Sequence, residues 1–136
     1  MTIKKLYKLL DHAENIIKET HPELAKFFPK EVSLHLVNKT AMRKLVRQNK
    51  KRLGDIGLRE ALVAVSDPRK KTALIVVLND RRNFYLGTMI HELLHLCHYF
   101  KGEGYRGERF IEAMTHDIMI EKVIEENKEL LKMMDD

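Results

Sequence analysis

Cysteine is nearly absent from this chain. Cys97 stands alone, so an internal disulfide is excluded and a reducing compartment is the natural setting. Apolar runs are short as well. None approaches the roughly 20 residues that a membrane-spanning helix needs, and the opening M-T-I-K-K-L-Y-K-L-L-D-H turns acidic where a secretory signal would stay apolar. The expectation is a cytoplasmic protein with no membrane partner. Prolines number three and glycines six, and no repeat, low-complexity tract or linker interrupts the chain, so residues 1–136 are expected to form one domain. What is present is a globular balance of 44% hydrophobic and 33% charged residues, enough for one core beneath a charged surface.

Hydrophobic spacing predicts the elements. Leu6, Leu9, Leu10, Ala13, Ile16 and Ile17 recur at helical intervals, giving a first helix that ends near Thr20. Pro22 opens a short turn through Phe28, and Pro29 closes it. Val32, Leu34 and Leu36 then alternate with Ser33 and His35 as in a half-buried strand, where His35 is a polar outward residue. Thr40 is expected to cap a helix whose apolar face is Ala41, Met42, Leu45 and Val46. L-G-D-I-G-L, from Leu53 to Leu58, reads as a loop. Ala61 to Val65 and Thr72 to Leu78 read as strands, and S-D-P-R-K-K between them has the turn chemistry of a hairpin.

A further helix follows Asn79 and Asp80. After Phe100 the stretch K-G-E-G-Y-R-G stops it. Ile111, Met114, Ile118, Val123, Ile124, Leu130 and Leu131 then predict a last helix from Glu108 to about Lys132. The expected fold class is α+β, a small mixed or antiparallel sheet packed against the helix around residue 92 and a C-terminal helix, with one more helix at the N-terminus.

Acidic residues are missing between Lys39 and Gly54, where Lys39, Arg43, Lys44, Arg47, Lys50, Lys51 and Arg52 cluster. Such a run can hold a phosphate backbone. It also suits a solvated face in a chain of net charge +5, and no aromatic residue within it offers a stacking platform for bases.

The densest chemistry lies in G-T-M-I-H-E-L-L-H-L-C-H, Gly87 to His98. On a helix, His91 and His95 lie about 40° apart around the axis and about 6 Å apart along it, so both rings can reach one ion from one face. Glu92 sits about 100° round from His91, placed to reach a metal-bound water as a general base without being a ligand. Leu93, Leu94, Leu96 and Cys97 make the rest of this helix apolar, so two imidazoles and a carboxylate are carried into a core where each needs a partner.

A catalytic zinc site with two histidines takes one more protein ligand. The position six residues beyond His95 is Lys101, which excludes the metzincin arrangement, and His98 lies about 10 Å along the axis from His91, too far to share its ion. Glu108, Glu112, His116, Asp117 and Glu121 on the last helix remain as candidates.

H-E-L-L-H followed by E-A-M-T at Glu112 resembles the gluzincins, zinc metallopeptidases of thermolysin-like type. The matching stretches are Met89 to Cys97 and Ile111 to Asp117. The order of helix, strands, H-E-x-x-H helix, glycine turn and glutamate helix looks like the compact minigluzincins. The resemblance implies zinc ligands His91, His95 and Glu112, with Glu92 as catalytic base. One position departs from the family pattern: His116 stands where those enzymes carry an aspartate that orients a ligand histidine, and Asp117 comes one residue later. That keeps His116 as a rival third ligand.

The implied activity is peptide-bond hydrolysis in a peptide or protein substrate laid along the hairpin edge, with Tyr105, Arg106 or His116 supporting the oxyanion. Two other readings stand beside it. A zinc-dependent RNA-processing nuclease would use the basic helix, although that family carries glycine where Glu92 stands; a non-catalytic nucleic-acid-binding module would keep the metal for structure. The tail around Met133, Met134, Asp135 and Asp136 is either core-completing helix or a segment that folds back into the cleft.

Overall fold

The computed structural model describes residues 2–48, 61–80, 86–103 and 108–126, with the side chains of Glu103, Glu108 and residues 121–126 left aside. The readings made for the 53–58 loop, Tyr105, Arg106, the side chain of Glu121 and the tail beyond residue 126 lie outside the described residues.

Helix α1 spans Ile3–Thr20. Thr2 caps it, its hydroxyl accepting the Lys5 N–H at 3.3 Å. Leu6, Leu10, Ala13, Ile16 and Ile17 form its buried stripe. The His21 N–H bonds the Ile17 carbonyl at 2.7 Å, and Pro22, which cannot extend an α-helix, starts a 3-10 turn at Pro22–Phe27. Strand β1 (Glu31–Val37) follows, then α2 (Lys39–Gln48). Here the expected cap is corrected. Asn38, not Thr40, caps α2, because its side-chain oxygen accepts the Ala41 N–H at 2.8 Å while its carbonyl takes the Met42 N–H at 2.9 Å. Thr40 is already inside the first turn, where its hydroxyl is past the capping position.

Strands β2 (Ala61–Asp67) and β3 (Thr72–Leu78) form the expected hairpin. Asp67 closes the turn by accepting the N–H groups of Arg69 and Lys70 at 3.0 and 3.2 Å. Lys71 takes the left-handed conformation (φ 57°), and a bulge lies between Val65 and Asp67. The strand order is β1-β3-β2, with β1 parallel to the central β3 and β2 antiparallel to it. The outer side of β1 meets α1, where the Tyr7 hydroxyl accepts the Leu34 N–H at 3.1 Å.

Helix α3 (Leu86–His98) carries H-E-L-L-H and runs into a π-helical turn, Tyr99–Glu103. Gly102 ends it at φ 91°, a backbone state that glycine adopts without a Cβ penalty. Helix α4 covers Glu108–Glu126.

Strand alternation sorts the apolar residues into two layers. Ala73, Ile75 and Val77 of β3, with Ala61, Val63 and Val65 of β2 and Val32, Leu34 and Leu36 of β1, face the main core under α1, α3 and α4. Val37, Leu62, Val76 and Leu78 face the opposite way, onto Met42 and Val46 of α2. The fold is thus α+β, a three-stranded mixed sheet with α2 on one face and the other helices on the second. Among the described residues, no helix is long and apolar enough to cross a membrane.

Candidate metal centre

Helix α3 is enclosed by α1, β2 and α4. Met89, Ile90, Leu93, Leu94, Leu96 and Cys97 are fully buried, as their all-round apolar pattern requires. Among the described residues, every buried polar or charged side chain sits on this one helix: Thr88, Glu92, His95 and His98, at 5 to 8% exposure. Polar burial is costly without partners, and here it is concentrated in a few turns.

His91 and His95 point their Nε2 atoms at each other, 3.2 Å apart, with the rings edge to face at 69°. Two imidazole nitrogens bound to one tetrahedral zinc at about 2.0–2.1 Å would be separated by roughly 3.3 Å. The pair therefore has the spacing of two ligands of one ion. Glu92, next in the chain and about 100° round the helix, is buried beside them at 8% exposure.

The third position is different. Among the described side chains of α4, Ile111 and Ile118 are the buried ones, and Glu112, about 100° round from Ile111, is exposed. His116 and Asp117 are exposed too. Among the described residues, no three His, Cys, Asp or Glu side chains stand together as a metal-holding group. The fold brings His91 and His95 together at Nε2, with Glu92 buried next to His91 in the chain, and leaves Glu112 exposed on α4.

His98, the last residue of α3, is buried with its ring edge-on to Phe110 at 5.3 Å. Thr88 was not singled out by the sequence. Its Oγ1 is buried with no hydrogen-bond partner among the described residues, and it lies on the stripe of His91 and His95, three and seven residues before them. That spacing was the available signal. On the α1 side of the helix, burial and then the Glu14 charge push the Cys97 thiol up to about 12, so this cysteine is an inert core residue.

No known family model, curated protein or solved structure matches this chain.

Proposed function

We propose that the protein is a zinc-dependent endopeptidase of gluzincin type, working in the cytoplasm on peptide or protein substrates. The observation that supports this most is the gathering of buried polar side chains on α3 around two histidine nitrogens 3.2 Å apart. In this reading His91 and His95 hold the zinc through Nε2, and Glu112 of α4 supplies the third ligand. A bound zinc would lower the pKa of its water to about 7 and polarise the substrate carbonyl. Glu92 would be the general base for that water and would return the proton to the leaving amine, a task its burial next to His91 favours by keeping solvent from competing. Substrate binding falls to β2, the antiparallel edge strand among the described residues, which packs against α3 and could pair with an extended peptide.

The test combines zinc analysis of the purified protein with cleavage of a quenched fluorescent peptide library. Zinc bound at one per chain, lost in His95→Ala, with cleavage abolished in Glu92→Gln, is the expected result. Full zinc occupancy in Glu112→Ala together with loss in His116→Ala would transfer the third ligand to His116. Zinc-dependent cleavage of RNA in place of peptide would overturn the peptidase reading in favour of a nuclease.

A further inference from the structure

The second face of the sheet carries a surface that the peptidase reading does not use. Helix α2 turns Met42 and Val46 inward, at 0 and 8% exposure, against Val37, Leu62, Val76 and Leu78. Lys39, Arg43, Lys44 and Arg47 are all exposed on its outer side. The helix has no acidic residue, and none of these four side chains makes an ion pair or side-chain hydrogen bond among the described residues. Exposed helices normally interleave the two signs of charge, because each like-charged neighbour at i,i+4 costs a little stability. Lys39, Arg43 and Arg47 are such neighbours, aligned in one row over roughly 12 Å of axis. In sequence the run continues through Lys50, Lys51 and Arg52.

We infer that the outer face of α2 is a docking surface for the phosphate backbone of a nucleic acid, bound without regard to sequence. A row of regularly spaced cations matches a polymer of regularly spaced anions. The same face has no aromatic side chain to stack on or read bases. A lipid surface fits less well, since an interfacial helix needs its apolar side chains for the membrane and those of α2 are committed to the sheet. Because α2 and α3 lie on opposite faces of the sheet, this surface is separate from the histidine pair, and the inference stands whether or not the peptidase reading does.

The experiment is fluorescence anisotropy of labelled duplex DNA and RNA of mixed sequence with the full chain, across a salt series. Four phosphate contacts predict a slope of about −3 to −4 in log affinity against log salt, or about a hundredfold loss between 50 and 200 mM. Replacing Lys39, Arg43 and Arg47 together by Ala should remove most of the binding and flatten the slope by about 2 to 3. Replacing Lys4, Lys5 and Lys8 of α1 by Ala takes away the same charge elsewhere and should leave binding largely in place. The pair Arg43→Lys and Arg47→Lys keeps the charge and should keep the binding. If the triple α2 variant fails to fold by circular dichroism, Arg43→Glu alone gives the same reading. Equal losses in the α1 and α2 triples would reduce the effect to net charge and overturn the proposal. So would the absence of nucleic-acid binding, or binding only to phosphatidylserine-containing vesicles.

Discussion

Helices α2 and α3 lie on opposite faces of one small sheet and solve opposite problems. Helix α3 is apolar almost all the way round and still buries a threonine, a glutamate and two histidines. Helix α2 buries little more than Met42 and Val46 and leaves every charge it has in water. A buried polar group has to be matched by a partner or it costs stability, whereas an exposed cation costs almost nothing. Polar residues on α3 are therefore informative one by one, and those on α2 only as a set.

The contrast breaks first at Glu92. In the peptidase reading, Glu92→Gln lowers peptide cleavage by roughly 10²–10⁴-fold with zinc retained, and Arg43→Ala leaves cleavage unchanged. Parallel turnover and metal assays check both, and undiminished cleavage by Glu92→Gln would end the proposed mechanism. Next comes Cys97. A thiol pushed up to about 12 by burial is almost wholly protonated at mild alkaline pH, so alkylation by iodoacetamide should be slower than that of a free thiol by orders of magnitude and should recover on unfolding.

Packing sharpens the comparison further. Leu93→Ala, in the fully buried part of α3, should cost about 2–5 kcal/mol in denaturant unfolding, whereas Arg43→Ala should stay within about 0.5 kcal/mol. The smallest effect belongs to Glu14, which faces α3 from α1. Burial raises its carboxyl against the lowering effect of Lys18, with Asp11 adding to the rise. A carboxyl whose folded value exceeds its unfolded one binds more protons when folded, so its charge opposes folding above that value and ceases to as pH falls through it. Glu14→Gln should therefore raise the melting temperature slightly at neutral pH, with the difference closing in acid.

Much of this was legible in the residues. Helix α1 and the β2–β3 hairpin follow from local period and turn chemistry, and the approach of His91 and His95 is a property of any helix with that spacing. The parallel pairing of β1 with β3 was not, because no local signal joins strands separated by α2 and β2. The α2 cap was missed because Asn38 and Thr40 are both capping residues and only backbone geometry decides which one acts. The third ligand is the least legible part of the site. E-A-M-T marks Glu112 by resemblance, but the side of α4 that meets α3 is chosen by Ile111 and Ile118, and their stripe leaves Glu112 about 100° away.

The contact between Tyr7 and the Leu34 amide has a consequence for self-association. A sheet grows into a fibre only if each copy offers a donor edge and an acceptor edge, so that every addition exposes the next. Here α1 packs against β1 and its phenol occupies an amide on that edge, so among the described residues a strand accepted at β2 has no matching open edge at β1 to propagate from. In the peptidase reading the β2 edge takes an extended peptide while Tyr7 guards the β1 edge, and Tyr7→Phe, which frees the Leu34 N–H, should make concentrated solutions of this protein more prone to filament formation.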